Sequence, residues 1–292
     1  MQVHHLQLRD GGKLAWREAG TGVPLLFIHG WSVDGSLFSS QMAGLSSGFR
    51  VICPDLRGHG LSDASPQANV DMLADDLQEL IGHLGLRDVI AIGWSLGAMV
   101  LWRMLSAGRL PAIAGLVTVD MSPMIHNTPD WRLGLMDGRD YDKATSATTA
   151  MSGNWPKMVL QFVPRIFSRG FADTNPRTVS DVVQVARGGD VASLVAIWHS
   201  MVDQDFREDL ARIQVPALVA YGGESQLYHS ETAQFVAREL PVSDLIEFAR
   251  SGHTPHVEEP DQFNKAIEVF ARGVSAQKTV TANNHSIKIA TS

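Results

Sequence analysis

The chain has 292 residues, 45% of them apolar, a formal charge of −7 and a single cysteine, with a mean hydropathy of −0.01. That is enough for one large domain or a domain carrying a substantial insertion, and a negative chain without clustered Lys and Arg argues against a nucleic-acid partner. No run approaches the ~20 apolar residues needed to span a bilayer, Met1-Gln2-Val3-His4-His5-Leu6 lacks a signal-peptide pattern, and the lone Cys53 excludes an internal disulfide, so a cytoplasmic protein without membrane insertion is expected.

Strand-like runs open the chain. Val3 to Arg9 and Lys13 to Glu18 flank Asp10-Gly11-Gly12, a hairpin signal. Pro24 to Ile28 is a continuous apolar run ending in His29-Gly30, as a buried parallel strand would. Phe49 to Cys53 repeats the pattern and leads into Pro54-Asp55. An amphipathic helix follows over Val70 to Leu84, with Met72, Leu73, Leu77, Leu80, Ile81 and Leu84 on one side. Asp88 to Ile92 and Ile113 to Val119 are further strands, the second ending at Asp120. From about Ser122 to Arg207 the sequence is helical or irregular and rich in Trp, Phe and Met, and then the alternation resumes. A strand over Pro216 to Tyr221, a helix near Glu231 to Leu240, a strand over Asp244 to Ala249 and a helix over Pro260 to Arg272 complete it.

This alternation predicts an α/β fold with a mostly parallel, eight-stranded sheet and helices on both faces. Residues 1–121 and 207–274 form the core, 122–206 an inserted helical cap, and the polar stretch 275–292 a disordered tail.

Gly93-Trp94-Ser95-Leu96-Gly97 lies between an apolar strand and a helix, the context of a nucleophile elbow. Such a turn strains the serine backbone and requires neighbours without side chains two residues to either side. A serine hydroxyl at neutral pH needs a base within hydrogen-bond reach, itself oriented by a carboxylate. His253, in Ser251-Gly252-His253-Thr254-Pro255-His256, is the candidate base, with Gly252 allowing the loop to turn. His256 is the weaker candidate, and a metal pair of His253 and His256 is disfavoured by Pro255, which breaks their helical alignment. Acyl transfer also needs N–H groups facing the oxyanion, and the backbone N–H groups of Trp31 and Leu96 are the candidates. His29 is read as an organiser of the Trp31 loop and Cys53 as a buried small hydrophobe.

On these segments, together with Asp55-Leu56-Arg57-Gly58-His59-Gly60-Leu61-Ser62, the chain resembles serine hydrolases of the α/β-hydrolase fold with a helical cap, over roughly residues 3–121 and 207–272. The His29-Gly30-Trp31 and elbow motifs are similar to those of pimeloyl-carrier-protein methyl ester esterases, small carboxylesterases, lactonases and cofactor-free perhydrolases. The resemblance implies ester, lactone or thioester hydrolysis through an acyl-enzyme, on a small, largely apolar substrate and without metal or cofactor. It leaves cofactor-free perhydrolase or oxygenase-type chemistry, and a non-hydrolytic ligand receptor, as alternatives.

The family usually places its acid in a Gly-x-x-Asp loop after the strand that follows the cap. Here that loop reads Gly222-Gly223-Glu224-Ser225, with a serine at the expected position. Two carboxylates substitute: Asp120, at the end of the strand after the elbow helix, and Glu224, one residue early. Asp120 is the expected acid and Glu224 the alternative, since some family members draw their acid from the earlier strand. Met124 and Trp131, close after Asp120, are the expected substrate contacts.

Overall fold

Each apolar run identified above becomes a strand in the computed structural model, which describes the backbone of residues 2–108 and 112–290. The strands are β1 (Val3–Gln7), β2 (Lys13–Ala19), β3 (Pro24–Ile28), β4 (Arg50–Asp55), β5 (Val89–Trp94), β6 (Ile113–Val119), β7 (Ala217–Gly222) and β8 (Ser243–Phe248). They form one sheet in the order β1-β2-β4-β3-β5-β6-β7-β8. The hairpin pairs β1 with β2 antiparallel, from Val3 opposite Arg17 to Gln7 opposite Lys13. β2 joins β4 antiparallel, and every later pairing is parallel.

The continuous apolar runs are explained by burial on both faces. β5, β6 and β7 are buried at every residue, because helices cover each side of a parallel sheet. β8 stands at the edge and is largely exposed. The helix Val70–His83 is capped by Asn69, whose side chain accepts from the Met72 N–H, and it buries Leu73, Leu77, Leu80 and Ile81. It is pinned to the loop after β4 by a buried two-pronged ion pair: Arg57 donates to both carboxylate oxygens of Asp76, at 2.7 and 2.8 Å.

Strand order positions the site. From β3 the chain moves outward to β4 on one side, then returns to β5 and continues outward through β6, β7 and β8 on the other. The reversal falls between β3 and β5, where loops diverge from the carboxyl ends and leave a crevice. The Trp31 loop leaves β3 and Ser95 leaves β5 at this point.

Between β6 and β7 the chain forms helices over Tyr141–Gly153, Trp155–Phe162, Phe171–Thr174, Pro176–Arg187 and Val191–Val202. Asn154 and Asp190 cap two of them through their side chains. The last helix runs Pro260–Ala290, so its backbone continues across the stretch for which disorder is expected from the sequence. Among the described residues no helix is long and apolar enough to cross a membrane.

The Arg57–Asp76 pair provides a test of the scaffold. Both side chains are almost wholly buried, and removing Arg57 leaves the Asp76 carboxyl without its counter-ion. Arg57→Ala is expected to cost about 3–5 kcal/mol in urea unfolding, with Arg57→Met/Asp76→Leu costing far less.

Candidate active site

The turn from β5 into the helix Leu96–Ser106 places Ser95 at φ 54° and ψ −119°, in a region that side-chain-bearing residues rarely occupy. Its flanking glycines are sterically required. A Cβ on Gly93 would lie 2.5 Å from the Gly97 carbonyl group, and one on Gly97 would overlap the Ile28 carbonyl. Although Ser95 precedes the helix, its hydroxyl makes no capping bond to that helix. Leu96 is the first helical residue, and N–H groups of a first turn have no acceptor within their own helix.

His253 and Asp120 meet across the sheet edge. His253 Nδ1 lies 2.7 Å from Asp120 Oδ2, with both side chains almost fully buried. That bond makes Nδ1 the donor and leaves Nε2 as the unprotonated nitrogen of the neutral ring. Asp120 has φ 44°, and its N–H donates to the Ala220 carbonyl in the adjacent strand. The same carboxylate oxygen also accepts from Ser225 Oγ at 2.7 Å. Glu224, the alternative carboxylate, is exposed, and its backbone N–H donates to Ser251 O.

The histidine loop is tied down from three directions. The His253 N–H donates to Ile166 O, and its carbonyl accepts from Trp94 Nε1 at 2.7 Å. Glu258 accepts from the N–H groups of Gly252 and Ser168 and from Thr254 Oγ1. Gly252 has no left-handed backbone. A Cβ there would overlap the Phe167–Ser168 backbone, so close packing against the segment above requires the glycine, where the sequence suggests a turn. Sequence reasoning misses Trp94 and Glu258 as anchors. The Trp inside the elbow and the Glu258-Glu259 pair were the available signals.

Two buried histidines organise the Trp31 loop. His29 Nδ1 donates to Gly30 O, while Nε2 accepts from the Leu56 N–H. His59 Nδ1 donates to Arg57 O, while Nε2 accepts from the N–H of Ser32, itself at φ 70°. Burial pushes His29 down to about 4 and His59 to about 3, the latter also through His29 beside it, so both rings stay neutral. His256 is likewise buried and held down at about 3, against the rings of Trp94 and Phe38. This placement does not bring it to Asp120. Burial also pushes the Cys53 thiol up, which removes it as a nucleophile.

Ser95 and His253 open into a cavity of about 40 Å³. Trp31, Leu135, Phe162, Trp198 and Leu227 divide it from an outer chamber of about 160 Å³, which Met151, Met158, Arg139 and Arg165 also line. The ring of Trp31 packs edge-on to those of Trp155 and Phe162, and its Nε1 donates to Leu194 O. Met124 and Trp131, the expected substrate contacts, are not among the residues that line these two spaces. Trp131 Nε1 donates to Met124 O while its ring packs against Phe235 and the Arg207 guanidinium, so the pair builds the base of the insertion. Among the described residues no group of three His, Cys, Asp or Glu side chains is arranged to hold a metal.

The Alpha/beta hydrolase family model matches residues 25–266, and the chain belongs to that family. The AB hydrolase superfamily protein YisY of Bacillus subtilis (strain 168) is 27% identical over 272 residues, covering 92% of this chain and 98% of that protein. A pimeloyl-[acyl-carrier protein] methyl ester esterase of Vibrio cholerae is 28% identical, over 88% of this chain and 98% of its own. The solved structure of a thermophilic esterase from Thermogutta terrifontis superposes with a TM-score of 0.82 at 26% identity, covering 94% of this chain and 99% of that one.

The neutral histidines predict how stability depends on pH. His29, His59 and His256 titrate near 6.5 when exposed and at about 3 to 4 in the folded chain. The unfolded state therefore binds more protons below 6.5, and stability from these groups, complete above that value, is lost as pH falls towards their folded values. Each contributes a slope of up to about 1.4 kcal/mol per pH unit. Burial raises Asp55 and Asp76, which act in the opposite direction. His256→Phe is expected to flatten urea-unfolding stability against pH between 6 and 4; an unchanged slope would show that its ring is charged when folded.

Proposed function

We propose that the protein hydrolyses a carboxylic ester, or a lactone or thioester, of a small and largely apolar substrate through an acyl-enzyme on Ser95. The observation that carries this reading is the left-handed serine at the sheet edge, sharing an apolar cavity with an imidazole whose far nitrogen is bonded to a buried carboxylate. The names of its relatives, a methyl ester esterase and an esterase, support the same class of reaction.

In this mechanism Ser95 Oγ attacks the ester carbonyl while His253 Nε2 takes its proton. Asp120 keeps the proton on Nδ1 and stabilises the imidazolium that forms. The backbone N–H groups of Trp31 and Leu96 face the oxyanion, and their donors are preorganised by His29 and His59 on one side and by the helix start on the other. His253 returns the proton to the leaving alkoxide. It then activates a water that attacks the acyl-enzyme, releasing the acid and restoring Ser95.

The cavity at Ser95 and the outer chamber share the side chains of Trp31, Phe162 and Trp198 as lining, so an ester held at Ser95 extends its apolar tail towards the outer chamber. This favours acyl or alcohol groups without charge next to the scissile bond.

A fluorophosphonate is expected to label wild-type protein at Ser95 and to leave Ser95→Ala unlabelled. Ester turnover in that variant should fall by roughly 10⁴-fold or more. Absence of labelling would overturn the serine mechanism, and Ser95→Ala with full activity on an oxidisable substrate would favour oxygen chemistry at His253 and Asp120 instead. Of the two carboxylate variants, Asp120→Asn should lose about 10³-fold or more in kcat and Glu224→Gln should stay near wild type; the reverse ranking would make Glu224 the acid.

A further inference from the structure

One buried hydroxyl beside the reactive serine has no partner. Ser32 follows Trp31 in the loop after β3, is 2% exposed, and lines the same cavity as Ser95 and His253. Among the described residues, buried side-chain polar atoms without a hydrogen bond occur on Trp16, Ser32, Gln41, Trp102 and His256, and of these residues only Ser32 lines that cavity. The other polar side chains there, indoles aside, are Ser95, Tyr228 and His253. Tyr228 Oη donates to Met121 Sδ and His253 Nδ1 to Asp120, and the remaining walls are apolar or aromatic. Ser32 is also strained. Its φ of 70° lies in the left-handed region that favours glycine. Its N–H donates to His59 Nε2 at 3.2 Å, so the backbone donor is already engaged and the hydroxyl is the group left to act. Strain and an unmatched buried donor each disfavour the folded chain, and both fall on one residue next to the proposed chemistry.

We infer that Ser32 is a catalytic residue, whose hydroxyl is a third donor to the oxyanion beside the N–H groups of Trp31 and Leu96. Its place in the loop points to that oxygen. Ser32 adjoins Trp31, so the hydroxyl and the Trp31 N–H leave the same turn of chain. That turn runs against the elbow, where a Cβ added to Gly30 would lie 3.2 Å from Ser95 Cβ. The count of lone pairs points the same way. A planar ester carbonyl oxygen has two, matched by two N–H groups, whereas the tetrahedral oxyanion has three and full charge. The third is met by Ser32. Because the hydroxyl has no partner in the free protein, no bond is broken before it meets the developing charge. It therefore binds the transition state more strongly than the substrate and acts on kcat, with little effect on KM.

The inference rests on the serine-hydrolase reading and is tested on purified full-length variants with p-nitrophenyl butyrate as substrate and trifluoromethyl pentyl ketone as inhibitor. Ser95 Oγ adds to the ketone carbon, the carbonyl electron pair moves to oxygen and His253 takes the serine proton, which leaves a stable tetrahedral oxyanion in the site. Ser32→Ala is expected to lower kcat by about 10²-fold with KM nearly unchanged, and to weaken inhibition by the ketone by a similar factor. Ser32→Gly removes the hydroxyl and the backbone strain together. It should lose the same activity while its thermal unfolding midpoint stays at or above that of wild type, a combination that a structural role does not produce. A Ser32→Ala variant with wild-type kcat overturns the inference, and so does one whose kcat falls while the ketone binds unchanged. Loss of stability together with activity in Ser32→Gly makes the residue structural and overturns it too. All of these differ from failure of the functional reading, in which wild-type Ser95 does not react with fluorophosphonate at all.

Discussion

The hydrogen bond between His253 and Asp120 joins two chain segments 133 residues apart and sets the geometry of the candidate site. A carboxylate at the end of an apolar strand is costly to bury alone. Here it accepts from two side-chain donors, His253 and Ser225, and its backbone is pinned to β7 through Ala220. The imidazole is restrained in turn by its own backbone, whose N–H bonds to Ile166 and whose carbonyl bonds to the indole of Trp94. Since Trp94 adjoins Ser95 in the elbow, one indole nitrogen ties the histidine loop to the serine turn. Strain at Ser95 and Asp120, both in left-handed conformations, is held by these surrounding contacts.

Neutral histidines provide the second organising device. His29 and His59 each use one ring nitrogen as donor and the other as acceptor, a combination available only to an uncharged imidazole. In this way they join the loops after β3 and β4, and Asp55 reinforces that junction by accepting from Arg17 and from the N–H groups of Gly35 and Leu61. Burial keeps the rings neutral, and neutrality lets them act as connectors. The proposed oxyanion donor Trp31 thus rests on a scaffold remote from the helix that presents Leu96, and its indole also supports the aromatic partition above Ser95.

Much of this is legible in the chain because the signals are local. Uninterrupted apolar runs mark buried parallel strands, and the spacing of glycines about Ser95 marks a close approach of strand and helix. Less legible are the features that depend on what packs against a residue. Gly252 reads as a turn residue but is required by the backbone of Phe167 and Ser168. Met124 and Trp131 read as substrate contacts because they follow Asp120, but Trp131 turns towards Phe235 and Arg207, which lie on segments far along the chain.

By itself the sequence determined the alternation of strands and helices, the strained serine turn and the presence of a late histidine, since periodicity, steric need and residue chemistry are properties of short segments. Only the tertiary structure decided which carboxylate meets that histidine. Asp120 and Glu224 are equally acidic on paper, but the parallel pairing of β6 with β7 carries one to the imidazole and leaves the other in solvent. The same pairing put Ser225 against the Asp120 carboxylate, a contact between residues 105 positions apart that no local pattern encodes.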